Sequence, residues 1–286
     1  MNSARLYLGC AVWSYRGWVG DFYPAKTKPK DFLHLYSQQF NTVEGNTTFY
    51  AVPKPETITK WAKETTETFK FCPKFPKAIT HQGLLQSQID KGLSFLETMS
   101  GLGDNLGLVF IQLPPSYSPQ YFADLRQFLQ AFNKYNLALE VRHLDWFSSP
   151  HKEQLNQMLT ELNIAKVLLD TRPIYNSKDD PQANSQRRKP NVPLEPIATN
   201  NCAFVRFISH PEAQYNQAYL QQWVIQVKDW LKENKTVYFF VHCPVEEHSP
   251  NTANYFKQLL EEQEINVDNI ANDKISKPIQ LSLFDL

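Results

Sequence analysis

Acidic, basic and hydrogen-bonding side chains stand near the ends of several strand-like runs in this sequence. In residues 137–142, Glu140 and Arg142 alternate with apolar residues, so in a strand the carboxylate and the guanidinium share one face. Comparable positions in other runs hold polar side chains, namely Glu44, Asn46, Lys74, Gln112, Asp170, Arg206 and His242. Carboxylates and a histidine that meet cations in one place can exchange protons with a bound anion.

These candidates divide into catalytic and substrate-binding residues. Glu44, Glu140 and Asp170 would supply a general acid and base, and His242 would be a further proton carrier. The substrate-binding candidates are cations, amides and two aromatic side chains that could stack on a sugar or base: Trp13, Tyr15, Asn46, Lys74, Gln112, Arg142 and Arg206. Trp18 fits a packing role better. The cations favour an anionic group such as phosphate or carboxylate.

Eight strand-like runs supply the elements that must position these side chains. They occupy residues 6–12, 42–47, 69–73, 107–113, 137–142, 165–170, 202–208 and 236–242. Helical apolar stripes separate most of them, most clearly Phe122, Leu125 and Phe128. Eight alternations predict an α/β fold, a single (β/α)8 TIM-type barrel over residues 1–265. An open doubly wound sheet is the alternative, although no glycine-rich dinucleotide fingerprint supports it.

In such a barrel the candidate residues would meet at the carboxyl ends of the strands. Individual pairs there, such as Glu140–Arg142 or Asp170–Arg206, have a purely structural interpretation as buried ion pairs. Gathering all of these charges at one end carries a large desolvation cost unless a ligand is bound. The sequence therefore predicts a functional site at this end of the barrel.

One long segment, residues 172–200, interrupts the alternation of strands and helices. It contains several prolines, the acidic pair Asp179-Asp180 and a basic run from Arg187 to Lys189. Because it follows the sixth strand, it would cover the carboxyl ends of the barrel strands. We predict a lid or ligand loop, and a mobile insertion without a role is the alternative.

Composition and charge bound the class of protein. Among 286 residues, 42% are hydrophobic, and Lys+Arg and Asp+Glu both number 29, so generic attraction to DNA or to anionic membranes is not supported. The four cysteines lack Cys-x-x-Cys spacing, the amino terminus lacks a signal-peptide pattern, and no apolar run is long enough to span a bilayer. We therefore expect a soluble cytoplasmic protein.

A metal centre is the rival interpretation of the same polar residues. The three carboxylates, together with His81, His143 and His242, could in principle bind one divalent ion. However, no paired-histidine motif is present, and cations at the same level would repel a metal. No cofactor is therefore predicted, and a divalent metal is disfavoured.

An ordered series of motifs resembles the YecE-like family, also called domain of unknown function 72. The matching segments are Gly17-Trp18, Phe22-Tyr23-Pro24, residues 43–50 (VEGNTTFY), residues 71–76 (FCPKFP), Gln112-Leu113-Pro114-Pro115, residues 140–143 (EVRH), Asp170, Val205-Arg206-Phe207 and Pro250-Asn251. The resemblance implies a TIM-type barrel but supplies no reaction. The family is distantly similar to barrels of the apurinic-endonuclease and xylose-isomerase type, which bind metals. This sequence departs from their pattern with Lys74, Gln112 and Arg206.

The last residues resemble the peptide that docks on the bacterial DNA-polymerase sliding clamp. The segment 266–286 is predicted to be a flexible tail, and its pattern consists of Gln280, Leu281, Ser282, Leu283 and Phe284. Leucine and phenylalanine would enter an apolar pocket while the glutamine hydrogen-bonds at its rim. Two functions thus stand open. The first is an enzyme for an anionic, phosphate-containing substrate, with nucleic-acid fragments among the candidates, and the second is a non-catalytic nucleic-acid-associated module recruited to the clamp. In the first, a hydrolase or a lyase or isomerase is possible.

Overall fold

Eight β-strands form the framework of the part of the chain that the structure describes. The computed structural model describes residues 4–183 and 188–267 of the chain. The strands are β1 (Leu6–Cys10), β2 (Thr42–Gly45), β3 (Lys70–Pro73), β4 (Val109–Gln112), β5 (Leu137–Glu140), β6 (Ala165–Asp170), β7 (Cys202–Ile208) and β8 (Thr236–His242). Each lies inside one of the predicted runs, so the alternation of apolar and polar residues located the strands correctly.

Nine α-helices lie between and after the strands within the described residues. They are α1 (Phe32–Gln39), α2 (Pro55–Glu64), α3 (Lys77–Thr80), α4 (Ile89–Ser100), α5 (Phe122–Gln130), α6 (His151–Glu161), α7 (Arg172–Tyr175), α8 (Gln217–Lys232) and α9 (Ser249–Glu261). The apolar stripes face inward: in α5, Leu125, Phe128 and Leu129 are buried. In the described part of the chain, no helix has both the length and the apolar character needed to cross a membrane.

The strands are parallel and fall into two hydrogen-bonded groups. Six form a curled sheet in the order β1-β8-β7-β6-β5-β4, and β2 pairs separately with β3. The α/β class is therefore confirmed, as a mixed fold built on a curled parallel sheet. A ladder that runs continuously through all eight strands is not formed by the described residues, so the predicted closed barrel is matched only in part.

The β1–β2 boundary is bridged by one side chain in place of a ladder. Leu8 N donates to Asn41 Oδ1 at 2.8 Å, and Asn41 Nδ2 donates to the carbonyl of Leu6 at 2.9 Å. The two strands approach closely at Gly9, where an added Cβ would lie 1.9 Å from the carbonyl oxygen of Thr42. A glycine is thus required for this approach.

The β3–β4 boundary is joined by backbone contacts at two points. Gly107 N donates to the carbonyl of Phe71 at 2.7 Å, and Phe75 N donates to the carbonyl of Phe110 at 2.9 Å. Isolated bridges pair Phe71 with Leu106 and Lys74 with Phe110. The β2–β3 pair therefore lies beside both edges of the six-stranded sheet.

Side chains that point into the curled sheet form an inner cluster, separate from the larger core beneath the helices. The inner cluster comprises Tyr7, Cys72, Leu108, Phe110, Ala138, Ala165, Val167, Phe204, Tyr238 and Phe240. Because alternate residues of a strand share a face, the residue two positions beyond each of these also points inward. The inner cluster therefore forms the apolar floor of whatever lies at the carboxyl ends of the strands.

The described parts of the segment 172–200, residues 172–183 and 188–200, pack over the carboxyl ends of β6 and β7. Tyr175 Oη donates to the carbonyl of Lys189 at 2.5 Å, which ties two parts of this segment together. An apolar cluster joins the segment to the strand ends and consists of Leu169, Ile174, Val192 and Ile208. The predicted partner-binding residues Gln280, Leu281, Leu283 and Phe284 lie outside the described residues.

Candidate functional site

Arg206 is buried at the centre of a polar network, on the inward face of β7. Its Nε and Nη2 donate to Glu44 Oε2 and Oε1 at 2.7 and 2.8 Å, and its Nη1 donates to Glu140 Oε2 at 2.5 Å. The planar guanidinium suits this two-pronged contact with a carboxylate. Glu44 lies on β2 and Glu140 on β5, so one side chain connects three strands that are distant in the sequence.

Arg142 extends the network away from Arg206. Its Nε donates to Glu140 Oε1 at 2.6 Å, and its Nη2 donates to Gln112 Oε1 at 2.6 Å. Lys74 Nζ donates to the same Gln112 oxygen at 2.7 Å. The predicted Glu140–Arg142 ion pair is confirmed, and residues from β2, β4, β5 and β7 and the residue after β3 meet in one network.

His242 completes this group from the end of β8. Its Nε2 lies 2.9 Å from Glu44 Oε2. Burial lowers the pKa of His242 to about 3, with Glu44 opposing the shift and Arg206 adding to it, so the ring is neutral near pH 7. An ionised carboxylate can only accept a hydrogen bond, so the neutral ring carries its proton on Nε2.

The two carboxylates of the network are strongly held anions. Burial alone would raise the pKa of Glu44, but Arg206 and His242 outweigh it and hold that pKa well below its ordinary range. At Glu140 burial is likewise outweighed, by Arg142 and Arg206, and the pKa is about 2. Each carboxylate oxygen accepts at least one hydrogen bond from a guanidinium. These carboxylates are suited to holding arginines, and poorly suited to donating a proton near pH 7.

Lys74 is the basic side chain of the network that lacks a carboxylate partner. Among the described residues, no carboxylate oxygen lies within 4.0 Å of its Nζ, which instead lies 4.1 Å from the ring centre of Phe49 and 5.2 Å from that of Phe110. Burial, and after it Arg206, lower the pKa of Lys74 well below its ordinary range. The network thus sets two arginines against two carboxylates, and Lys74 is a further basic group without an anionic partner among the described residues.

The structure forms no Asp170–Arg206 ion pair and does not bring Asp170 into the network of Glu44 and Glu140, which corrects its predicted place at the site. Arg172 contacts it twice, with Nε 2.9 Å from Oδ1 and Nη2 2.8 Å from Oδ2, and Trp223 Nε1 donates to Oδ2 at 2.8 Å. Since Val167 points inward, Leu169 does too, and Asp170 faces the helices. Asp170 therefore joins β6 to α7 and α8.

The remaining sequence candidates lie beside the network or apart from it. Trp13 is buried against Trp61, with ring centres 5.1 Å apart, so its ring packs in the core beneath α2. Tyr15 Oη donates to Glu247 Oε1 at 2.5 Å in the turn after β8. Asn46 follows β2 in a short 3₁₀ helix, and its Nδ2 donates to the carbonyl of Ala11 at 3.1 Å.

Trp18 is buried, as its packing role predicts, and its Nε1 donates to the carbonyl of Glu246 at 2.9 Å.

Three titratable residues near the network, Lys189, Glu246 and His81, were not assigned to acid–base chemistry from the sequence. Burial lowers the pKa of Lys189 to about 8, with Arg206 contributing, and raises that of Glu246 to about 7. Burial and then Lys74 lower the pKa of His81 to about 4. Lys189 belongs to the basic run of the 172–200 segment, and that run was the signal that pointed to it.

No group of three His, Cys, Asp or Glu side chains is arranged to hold a metal ion within residues 4–183 and 188–267. A cavity of about 470 Å³ lies at the opposite end of the fold, lined by residues that include Leu6, Leu231 and Ile265. Neither a metal site nor this cavity accounts for the charged network at the carboxyl ends of the strands.

Sequence comparison identifies the class of protein to which this arrangement belongs. The family model described as protein of unknown function DUF72 matches residues 7–276. The chain is 35% identical over 243 residues to UPF0759 protein YecE of Escherichia coli strain K12, covering 84% of this chain and 86% of that protein. UPF0759 protein YunF of Bacillus subtilis strain 168 is 25% identical over 297 residues, covering 98% of this chain and 100% of that protein. The chain belongs to the DUF72 family.

Solved structures of the same family share the fold. A DUF72 family protein from Enterococcus faecalis V583 superposes with a TM-score of 0.71 at 20% identity, covering 91% of this chain and 99% of that one. A DUF72 family protein from Thermotoga maritima MSB8 gives a TM-score of 0.68 at 23% identity, covering 90% and 99%. At these identities the comparison supports the fold alone.

The neutral, buried ring of His242 predicts a specific loss of stability in acid. Its folded pKa of about 3 lies below its ordinary value of 6.5, so the unfolded chain binds an extra proton between these pH values. Stability contributed by this ring is present above pH 6.5 and falls below it, with a slope that approaches about 1.4 kcal/mol per pH unit. Glu44 and Glu140 add to the loss below pH 4.5.

The measurement is urea unfolding at a series of pH values between 7 and 5. His242→Gln keeps a donor for Glu44 and should flatten the slope, whereas the exposed His34→Gln should leave it unchanged. Parallel slopes for all three proteins would show that His242 does not titrate as described.

Proposed function

We propose that this protein is an enzyme that binds an anionic, phosphate-containing substrate at the carboxyl ends of its strands and transfers protons there. The observation that carries the proposal is a pair of basic groups on one side of the network: Lys74 has no carboxylate partner in the described part of the chain, and Arg142 donates to the same Gln112 oxygen as Lys74. A bound anion would accept hydrogen bonds from these groups. Solvent exposure supports an anion site at Arg142, since 14% of the Arg142 side chain is exposed and only 2% of the Arg206 side chain is.

The structure supports different roles for the candidate residues from those that the sequence suggests. Glu44 and Glu140 would position the two arginines, because their oxygens are occupied by guanidinium groups. Proton transfer would fall to Glu246 and Lys189, since their pKa values of about 7 and 8 allow both protonation states near neutral pH. His242 would orient Glu44.

We propose further that the eight strands act as one closed TIM-type barrel. The amide of Asn41 between β1 and β2, and the bridges at Phe71 and Lys74 between β3 and β4, support closure at the two places where the ladder is interrupted. A reducing compartment such as the cytoplasm fits the four cysteines, which are free thiols.

Recruitment to the DNA sliding clamp is the second candidate function. Its support is the sequence Gln280-Leu281-Ser282-Leu283-Phe284, which carries a glutamine and two apolar anchors at the spacing of a clamp-binding peptide. In this function the barrel would recognise a nucleic-acid feature without chemistry. Because the chain has no net charge, its affinity for DNA would depend on local contacts and not on overall electrostatic attraction.

Inorganic phosphate is the probe for the anion site. We expect Arg142→Gln to weaken phosphate binding at least about tenfold, which corresponds to about 1.4 kcal/mol, because the substitution removes the exposed cation of the network. The measurement is phosphorus NMR line broadening at fixed ionic strength, with chloride as the competing ion.

The matched control is Arg126→Gln, which removes an exposed arginine paired with Glu161. It should bind phosphate like the unaltered protein. Equal binding by both variants, or no binding by the unaltered chain, would reject the anion site.

The clamp hypothesis predicts that deletion of residues 280–286 abolishes retention of the protein on immobilised sliding clamp, because the apolar anchors are removed. Substitution of Leu281 and Phe284 by alanine should have the same effect, and Ser282→Ala should have little. Surface plasmon resonance measures this directly, and undiminished retention of the deletion variant would eliminate clamp binding through this segment.

A further inference from the structure

Lys74 lies in surroundings unlike those of an ordinary structural lysine. Its amine donates one hydrogen bond, to Gln112 Oε1 at 2.7 Å, and that oxygen also accepts from Arg142. The rings of Phe49 and Phe110 lie 4.1 and 5.2 Å from the nitrogen and exclude water from two sides. A structural buried lysine would be expected to meet a carboxylate, as Lys166 does with Glu195 at 3.2 Å.

The free base of Lys74 is favoured by its environment. Burial and Arg206, followed by Arg142, disfavour the ammonium, although Glu44 and Glu140 oppose them. Both carboxylates already bind guanidinium groups, which leaves the amine without a fixed counter-ion. Lysines in such surroundings are the ones that enzymes use as bases and as nucleophiles toward carbonyl groups.

We propose that Lys74 is a nucleophile that forms an imine with an aldehyde or ketone bearing an anionic group. The inference rests on the anion site proposed above and names the substrate class for it. The carbonyl carbon would meet Lys74 Nζ, and the anionic group would meet Arg142. No hydrogen bond is formed by Arg142 Nη1 to the described residues, so this nitrogen can donate to the ligand.

The imine forms with the loss of one water molecule. The Lys74 lone pair forms the C–N bond as the carbonyl π pair moves to oxygen, and one proton passes from nitrogen to that oxygen. A second proton, from Lys189 or Glu246, lets the oxygen leave as water while the nitrogen lone pair forms the C=N bond. The pKa values of about 8 for Lys189 and about 7 for Glu246 allow either group to supply this proton.

The protonated imine carries one positive charge, which the anionic group of the bound substrate would balance. Glu44 and Glu140 keep their arginines in place throughout, so the network does not have to rearrange around the new bond. An iminium withdraws electrons from the neighbouring carbon, which is the chemistry of lyases and of isomerases that use lysine.

Reductive trapping tests the inference on the unaltered full-length chain. The protein is incubated with sodium cyanoborohydride and one of three probes: glyceraldehyde 3-phosphate, an oligonucleotide with an abasic site, or unphosphorylated glyceraldehyde. Peptide mass mapping then locates the adduct. We expect an adduct at Lys74 from a phosphate-bearing probe at least tenfold above that from glyceraldehyde, and suppression by inorganic phosphate. The probe that labels decides whether the carbonyl belongs to a free sugar phosphate or to a nucleic acid.

Two variants accompany this experiment. Lys74→Arg should lose the adduct, and Lys77→Arg, which alters an exposed lysine three residues further on, should retain it. Because the adduct is mapped on the unaltered chain, the result does not depend on whether Lys74→Arg folds.

Adducts spread over surface lysines, or labelling of Lys74 without preference for phosphate, would overturn the inference. Phosphate binding that depends on Arg142, combined with no adduct at Lys74, would reject the imine alone. Absence of phosphate binding would reject the anion site as well, so the two failures are distinguishable.

Discussion

The buried contact of Arg206 with Glu44 and Glu140 is the constraint on which the site depends. A guanidinium inside a protein requires carboxylates in good geometry, because removal of either partner leaves a charge without solvation. Here the partners come from β2 and β5, while the arginine comes from β7. Relative displacement of these strands would break short hydrogen bonds on both sides. The network therefore opposes displacement where the backbone ladder is interrupted, beside β2 and β3.

This constraint also determines which groups remain available for chemistry. Because arginines occupy both carboxylates, Glu44 and Glu140 are held as anions and their role is positional. Lys74 and Arg142 remain available toward the more exposed side of the network. A ligand entering from that side would meet a cation for its anionic group and an amine for its reactive carbon.

The local parts of this arrangement could be predicted from the sequence, and the long-range parts could not. Alternation in residues 137–142 correctly placed Glu140 and Arg142 on one face, because their spacing of two is a property of the strand itself. In the run Ala165–Asp170, Lys166 and Asp170 share one face, and the sequence predicts this polar face to be inward, whereas in the structure it faces the helices. Both faces of the strand are buried, so polarity alone does not distinguish the inner face from the outer one. The contact between Glu44 and Arg206 spans 162 positions, and no local pattern encodes it. Lys189 reaches the site from a segment without periodicity, so only its basic composition and its position after β6 indicated a role.

The stability of Arg206→Met tests most directly whether the buried arginine holds the site together. Methionine is of similar length and leaves the two carboxylates buried without their shared partner. We expect the free energy of unfolding, measured in urea at pH 7, to fall by about 3–5 kcal/mol. Arg126→Met, at the exposed pair with Glu161, should change it by less than about 1 kcal/mol. A loss at Arg206 as small as that at Arg126 would show that the carboxylates do not depend on this arginine, and would contradict the account.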